Sequence, residues 1–264
     1  MFHVKQEPLY AARHPFIHTE AKDYLVAYKP PKMHSVPIAK TDTGTLLHWC
    51  AAYFPEILSI AGKKPIEGSI LHRLDYETSG LVLFARTQEA MNNLLQQQED
   101  GLFIKTYFAK CEKVSGIALG FPPLLKEYIN LVDSTDYPKK ISSFFRAFGK
   151  GRKEVRPVLC DHTSKKAVAT DLGNPYITTI LDCKLNNDDS LNFRLRLNRG
   201  FRHQIRCHLA WLGYPILNDP LYNKKSCNEN NFMQLFATDL FFLDPQNGKP
   251  THEHLTFVSR ETFY

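Results

Sequence analysis

Several features that assign a protein to a particular class are missing from this 264-residue sequence. It has no run of about 18 consecutive apolar residues, so a membrane-spanning helix is not expected. Its N-terminal segment lacks a basic start followed by an apolar stretch, which argues against a secretory signal peptide. Gly-rich phosphate-binding loops and dinucleotide-binding motifs are also absent. These absences favour a globular protein that works without a nucleotide cofactor.

Metal-binding and disulfide patterns are missing as well. The six cysteines form no C-x-x-C pair and have no zinc-ligand spacing. A reduced, cytoplasmic protein is therefore predicted, without a disulfide framework. His252 and His254 flank one glutamate, but this short pair has no further ligand nearby in sequence. We interpret it as a surface feature and predict neither a metal site nor any cofactor.

Positive charge is concentrated in two segments of the chain. The 33 basic and 27 acidic residues give a net charge of +6. Nine basic and two acidic residues lie within 139–166, and five arginines with no acid lie within 194–206. Such clusters suit a polyphosphate partner, since each Lys or Arg contact releases condensed counterions. A solvated surface without a partner is the alternative interpretation.

The apolar pattern predicts an α+β fold. Strands are predicted near residues 24–28, 80–85, 105–114 and 191–197, and helices near 87–98 and 201–212. Thr43 is expected to cap a further helix. On the third strand Tyr107 shares one face with Ala109 and Cys111. Because strands and helices do not alternate strictly, we predict a mixed, largely antiparallel central sheet with flanking helices.

Asp75 lies in a polar stretch, residues 72–80, just before a predicted buried strand. A carboxylate on a loop beside a rigid strand suits catalysis, although an Asp close to Gly is more often a turn residue. The sequence His-Arg-Leu-Asp partly matches the kinase catalytic loop. However, its Asp and Leu are exchanged and Ser79 stands where that loop needs Asn, so a kinase is rejected.

Residues 72–80 match every fixed position of H-R-L-D-x-x-T-S-G, and this segment resembles the catalytic signature of the RluA-type RNA pseudouridine synthases. Three further blocks are similar to that family in the same order. They are Lys29-Pro30 with Val36-Pro37, where Lys32 replaces the usual Gly; Lys105-Thr106-Tyr107-Phe108-Ala109; and residues 203–209 with 213–216 and Asp219. Together the four blocks cover roughly residues 24–257.

The resemblance implies the pseudouridine synthase catalytic fold and the isomerisation of uridine within RNA, with no metal or organic cofactor. It implies that Asp75 supplies the nucleophilic or proton-abstracting carboxylate, at C1′ or C2′ of the ribose. Tyr107 is expected to stack on the uracil, and Arg206 to hold Asp75 in a two-pronged ion pair. One catalytic domain over residues 1–264 is expected, with a basic insert near 139–166. Because the first block begins by about residue 24, no separate N-terminal RNA-binding domain is expected.

RNA is the expected partner, either ribosomal or transfer RNA, and the protein is expected to be a monomer. The predicted RNA contacts are Arg73, Arg146, Lys150, Arg152, Lys153, Arg199, Arg202, His203 and Gln204. One stretch departs from the family. Where T-G-R usually precedes the H-Q-I-R block, this sequence has Arg199 in place of Thr and Phe201 in place of Arg.

Two alternatives belong to other functional classes. The first is a catalytically silent RNA-binding protein on the same fold. The second is a nucleoside glycosidase that uses Asp75 and Glu77 as a carboxylate pair. A glycosidase for small nucleosides would not need two basic clusters, and an intact Asp75, Tyr107 and Arg206 set favours an enzyme over a silent binder.

Overall fold

The computed structural model describes residues 12–39, 41–116, 118–128, 136–159, 173–228 and 231–256. These residues form ten strands and three α-helices, joined by short 3-10 turns. The strands are β1 (Phe16–Glu20), β2 (Tyr24–Lys29), β3 (Ser79–Ala85), β4 (Ile104–Cys111), β5 (Lys139–Phe148), β6 (Glu154–Val158), β7 (Tyr176–Leu185), β8 (Leu191–Leu197), β9 (Leu235–Leu243) and β10 (Pro250–His254). The helices are α1 (Leu46–Ala51), α2 (Gln88–Glu99) and α3 (Gln204–Trp211).

The strands make one continuous mixed sheet in the order β1-β2-β3-β9-β4-β8-β7-β5-β6. Every pairing is antiparallel except that between β3 and β9, which run parallel where Gly80 pairs with Ala237. Beyond this short contact with β3, the second half of β9 pairs with β10. The predicted mixed, largely antiparallel α+β architecture is therefore confirmed.

Helices cover both faces of the sheet. On one face α1 and α3 pack Leu47 and Leu209 into a core that includes Tyr107 of β4. On the other face α2 packs Met91 and Leu94 against β2 and β3. Because both of its faces are covered there, every residue of β2 and β3 is buried, which explains their nearly continuous apolar sequence. Within the described ranges, no helix is long and apolar enough to cross a bilayer.

Most predicted elements are observed within a few residues of their expected bounds, but two helix starts differ. Thr45, not Thr43, caps α1, since its hydroxyl accepts a hydrogen bond from the backbone N–H of His48 at 3.4 Å. Helix α3 begins at Gln204 rather than near residue 201. The cause is His203, whose backbone has the left-handed conformation (φ 57°) and cannot continue a right-handed helix backwards. The basic segment forms the β5–β6 hairpin, and its residues 160–166 lie outside the described ones.

Candidate active site

Asp75 is held in a tight turn that leads into β3. The backbone N–H of Thr78 donates to the carbonyl of Asp75 at 3.1 Å and closes this turn. Two residues later the chain passes very close to β9. A Cβ atom at Gly80 would lie 2.3 Å from the carbonyl oxygen of Ala237, and Gly80 has a φ of +127°. Only glycine fits there, so the T-S-G end of the segment fixes how the Asp75 turn meets the sheet.

Residues at the end of β2 and in the loop after it hold the Asp75 turn in place by hydrogen bonds. The Ser35 hydroxyl accepts from the N–H of Leu74 and donates to its carbonyl, both at 3.0 Å. The ammonium of Lys29 donates to the carbonyls of Met33 at 2.8 Å and Tyr76 at 3.3 Å. These bonds clamp both neighbours of Asp75. The early Lys-Pro block of the sequence therefore helps to position the Asp75 turn.

Lys29 is completely buried close to the two carboxylates of this turn. Burial lowers the pKa of Lys29 to about 7, and the negative charges of Asp75 and Glu77 oppose that shift without cancelling it. A buried amine near its titration point therefore lies under the site. Sequence reasoning placed Lys29 in a motif but did not assign it to the site.

Arg206 joins α3 to the Asp75 turn. Its Nε and Nη2 atoms donate to the two carboxylate oxygens of Asp219 at 2.7 and 2.8 Å. Its remaining Nη1 lies 3.2 Å from Asp75 Oδ2 and 3.4 Å from Glu77 Oε2. The expected two-pronged grip on Asp75 is wrong in this respect. The paired donors of the guanidinium face Asp219, and Asp75 receives a single charge-assisted hydrogen bond.

Asp219 is fully buried and has no freedom to turn away from Arg206. Its Oδ1 also accepts from the backbone N–H groups of Leu221 at 2.9 Å and Tyr222 at 3.1 Å. Burial disfavours the charge of Arg206, but Asp219, and then Asp75 and Glu77, outweigh this and raise its pKa above the usual value. Arg206 is therefore a permanently charged, fixed donor. Asp219 was missed as a site residue, although it closes the fourth sequence block.

Tyr107 lies on β4 and is buried on the sheet face that α3 covers. Its burial, and secondarily the negative charge of Asp75, raise the pKa of Tyr107 well above its ordinary value. The phenol is therefore neutral at physiological pH and lies within the electrostatic reach of Asp75. The structure thus brings Asp75, Tyr107 and Arg206 into one site, from three separate blocks of the sequence.

The two basic segments of the sequence meet in space. Arg202, just before α3, donates from Nη2 to the carbonyl of Arg152 at 2.8 Å, at the tip of the β5–β6 hairpin. Lys150 and Lys153 are exposed at the same tip. Along the hairpin, exposed Arg146 donates to the carbonyl of Gly120 at 3.0 Å. The hairpin tip and the start of α3 therefore form one continuous basic surface beside the site.

Arg73 lies two residues before Asp75 in the chain. Its side chain is 53% exposed and forms an ion pair with Glu67 at 3.0 Å. About half of this side chain is open to solvent, so Arg73 is accessible to a ligand.

The altered stretch before α3 packs on aromatic residues. Phe201, which replaces the family's Arg, stacks in parallel on Phe145 of β5 with ring centroids 5.0 Å apart. Its ring also lies 4.9 Å from that of Tyr176. The guanidinium of Arg199 lies 4.3 Å from the centre of the Tyr176 ring, and Arg199 is exposed. Phe201 therefore has no charge but packs the start of α3 against the β5–β6 hairpin. Arg199 supplies a positive charge nearby.

His203 and Gln204 are placed differently from the other predicted RNA contacts. The Gln204 side chain is buried and donates to the carbonyl of Ile177 and the hydroxyl of Thr178 at 3.0 and 3.1 Å. Its amide joins α3 to β7, so its placement does not support an RNA contact. His203 is partly buried, lies 3.3 Å from the Tyr222 hydroxyl, and has a pKa lowered to about 4, chiefly by burial. It is therefore neutral at physiological pH.

The chain is similar to one protein family over most of its length. Residues 23–211 match the model of the RNA pseudouridylate synthase family. An uncharacterized RNA pseudouridine synthase of Chloroflexus aurantiacus is 31% identical over 222 residues, 84% of this chain and 59% of that protein. A ribosomal large subunit pseudouridine synthase D of Buchnera aphidicola is 26% identical over 217 residues, 81% of this chain and 56% of that protein. The chain thus spans less than two thirds of these curated relatives.

Solved structures show the same fold. Human RNA pseudouridylate synthase domain containing 1 superposes with a TM-score of 0.61 at 20% identity, over 95% of this chain and 86% of that one. Human RNA pseudouridylate synthase domain containing 4 gives a TM-score of 0.57 at 17% identity, over 92% and 88%. These likenesses extend over nearly the whole sheet and its helices, and they confirm the predicted fold.

Proposed function

Because the chain belongs to the RluA-type RNA pseudouridylate synthase family, we propose that it is an enzyme that isomerises uridine to pseudouridine within RNA. The observation that carries the proposal is the contact between Asp75 Oδ2 and Arg206 Nη1 at 3.2 Å. The buried phenol of Tyr107, in the field of the same carboxylate, supports it. A partly exposed carboxylate beside a fixed cation suits glycosyl chemistry.

Asp75 is the proposed nucleophile. The reaction breaks the bond between N1 of uracil and C1′ of ribose and forms a bond between C5 and C1′. C5 loses its proton and N1 gains one, so atoms balance with no change of oxidation state. A carboxylate that divides this exchange into two steps requires no external reactant. Its side chain is 23% exposed, which leaves it open to a substrate, while Arg206 is almost fully enclosed behind it. Arg206 fixes the carboxylate, and Tyr107 holds the plane of the uracil.

A structured ribosomal RNA is the proposed substrate. Relatives from Buchnera aphidicola and Haemophilus ducreyi bear the name ribosomal large subunit pseudouridine synthase D. A target uridine must leave its stack to reach Asp75, which costs a few kcal/mol that backbone contacts offset. The basic surface beside the site supports such contacts, and Arg73 offers a separate exposed charge near Asp75. The proposed RNA contacts are therefore Arg73, Arg146, Lys150, Arg152, Lys153, Arg199 and Arg202.

We also propose that residues 12–256 act as one catalytic domain and that the protein works as a cytoplasmic monomer. The continuous sheet from β1 to β6 supports a single domain, because every strand is paired within it. Among the described residues the five cysteines form no disulfide, in keeping with a reducing compartment.

The test replaces Asp75 with Asn, which keeps the shape of the side chain and removes its charge. Glu77→Gln is the matched control, since Glu77 contacts the same Arg206 nitrogen. Both variants are incubated with transcribed ribosomal RNA and transfer RNA, and pseudouridine is mapped at single-nucleotide resolution. Asp75→Asn is expected to form none while binding RNA within a few-fold of wild type, whereas Glu77→Gln remains active. Full activity of Asp75→Asn would refute the mechanism, and release of free uracil would identify a glycosidase.

A further inference from the structure

The last two strands place two histidines and an aspartate together. In the antiparallel pair of β9 and β10, His254 lies directly opposite Asp239, and His252 lies opposite Phe241. Alternation along β10 puts both imidazoles on one face and Glu253 on the other. Neighbouring positions on one sheet face are within side-chain reach. The strand register therefore supplies a third candidate ligand, which the spacing of the two histidines in sequence did not reveal.

Both imidazoles contact the same carboxylate oxygen of Asp239. Asp239 Oδ1 lies 2.9 Å from His252 Nε2 and 2.7 Å from His254 Nδ1. The three potential ligand atoms all lie within 4.8 Å of one another. Two contacts fix the group. The Thr238 hydroxyl donates to Asp239 Oδ2 at 2.6 Å, and the Phe241 ring stacks on His252 at 4.1 Å.

We propose that Asp239, His252 and His254 form a binding site for a divalent transition-metal ion such as zinc. Two imidazole nitrogens and one carboxylate oxygen suit zinc, cobalt or nickel, whereas calcium and magnesium prefer oxygen ligands alone. Zinc–ligand distances of about 2.0–2.2 Å place tetrahedral ligands about 3.3 Å apart. The observed N···O distances are 2.9 and 2.7 Å, and all three ligand atoms lie within 4.8 Å of one another. An ion that replaces the two hydrogen-bonding protons therefore requires each histidine nitrogen to move about 0.5 Å away from Asp239 Oδ1.

The surroundings leave room for a further ligand on the ion. The cluster lines a groove of about 480 Å³ that also contains Thr106, Arg194 and Arg196. Arg194 is neutralised by an ion pair with Asp182 at 2.8 Å. In the part of the chain that is described, the Nε atom of Arg196 is buried without a hydrogen-bond partner. Three protein ligands leave the fourth zinc position to water or a small anion, which suits the positive charge of Arg196.

The metal site is separate from the proposed catalysis. Thr106 and Phe108 of β4 line the groove, whereas Tyr107 between them points into the catalytic face of the same strand. The metal would therefore act from the other side of the sheet, by joining β10 to β9. The proposal differs from the interpretation of His252 and His254 as a surface feature, because β9 places Asp239 beside both histidines.

The experiment uses the 264-residue chain without an affinity tag, stripped with a chelator and titrated with zinc chloride by calorimetry. We expect one zinc ion per chain and a higher melting temperature in its presence. His252→Ala, His254→Ala and Asp239→Asn are each expected to weaken zinc binding at least about tenfold, since each removes one of three ligands. His14→Ala, an exposed histidine outside the cluster, and Cys227→Ser, an exposed thiol, are the matched controls and should bind as wild type.

A second probe distinguishes this site from unspecific binding and does not depend on how well any variant is folded. Cobalt(II) in a three-ligand site gives visible absorption bands that zinc abolishes by competition. Absence of zinc binding by the wild type would overturn the proposal. So would zinc affinity that survives unchanged in both histidine variants, whose positions are about half exposed and tolerate alanine.

Discussion

Arg206 and Asp219 form a two-pronged ion pair with distances of 2.7 and 2.8 Å, and both side chains are almost fully buried. This pair leaves only Nη1 of the guanidinium for Asp75. The direction in which Arg206 points is therefore set by a residue 13 positions later in the chain, on the loop after α3. Asp219 is a positioning residue, since it acts on the candidate nucleophile only through Arg206.

Asp219→Asn is expected to lower the free energy of unfolding by about 3–5 kcal/mol, because it leaves a buried guanidinium charge without its partner. Pseudouridine formation should fall as well, because Arg206 is then free to turn towards Asp75. Urea unfolding at neutral pH measures the first effect. Glu77→Gln removes a partly exposed contact of the same guanidinium and should cost about 1 kcal/mol or less. Equal losses of unfolding free energy in Asp219→Asn and Glu77→Gln would contradict the role of Asp219 as the main partner of Arg206.

Much of this site can be predicted from the sequence, because the ordered motifs indicate which residues belong to it. The blocks around Asp75, Tyr107 and Arg206 predict that these residues come together, and they do. Which carboxylate Arg206 prefers does not follow, since the turn and the loop after α3 both offer candidates. That choice depends on burial and on backbone donors to Asp219, which are set by the packing of distant segments.

Local signals fail where tertiary contacts decide between equivalent residues. Thr43 and Thr45 are chemically equal as helix caps. Thr45 takes the position because the N–H of Leu46 bonds to the carbonyl of His34 at 2.9 Å and fixes where α1 starts. In the same way, the grouping of His252 with Asp239 depends on the register of β9 and β10. Neither spacing nor composition reveals that register.

The buried amine of Lys29 predicts a pH dependence of stability. Its pKa in the folded protein is lowered to about 7 by burial, against 10.5 for an ordinary lysine. Between these values the unfolded chain binds more protons than the folded one, so the free energy of unfolding rises with pH. Lys29 alone contributes up to about 1.4 kcal/mol per pH unit. Urea unfolding of wild type and Lys29→Met between pH 7 and 8.5 measures this contribution.

Lys29→Met is expected to show a clearly smaller pH slope than the wild type. Some slope remains in both proteins, because burial also lowers the pKa of Lys105 to about 8. Lys22→Met, at an exposed lysine, is the matched control and should keep the wild-type slope. If Lys29→Met and Lys22→Met gave the same slope, Lys29 would be an ordinary charged lysine in the folded protein.

The stack of Phe201 on Phe145 predicts an energetic coupling between the start of α3 and the β5–β6 hairpin. A double-mutant cycle with Phe201→Ala and Phe145→Ala should give a coupling of about 0.5–1.5 kcal/mol in unfolding free energy. Leu119→Ala, at a side chain that is 84% exposed, should change stability little. If the two substitutions lowered the unfolding free energy by strictly additive amounts, the ring contact would not stabilise the attachment of the hairpin to α3.

Neutralising the tip of the β5–β6 hairpin should weaken RNA binding and reduce its dependence on salt. Lys150, Arg152 and Lys153 changed together to Gln remove three exposed charges next to Arg202. If each contacts a phosphate, the slope of log affinity against log salt should fall by about 2–3. Binding is measured with transcribed ribosomal RNA over a range of salt concentrations.

The control for that experiment removes the same charge from elsewhere on the surface. Lys22, Lys64 and Lys249 are exposed and lie outside both basic segments, so their joint change to Gln alters net charge equally. If the hairpin tip contacts RNA, only the hairpin variant should show a smaller slope of log affinity against log salt. A general effect of net charge would reduce the slope in both triple variants. At saturating RNA the hairpin variant should still form pseudouridine at the wild-type rate, since its charges bind the backbone and do not touch Asp75. Equal slopes in the two triple variants would remove the hairpin from the RNA interface and leave recognition to Arg73, Arg199 and Arg202.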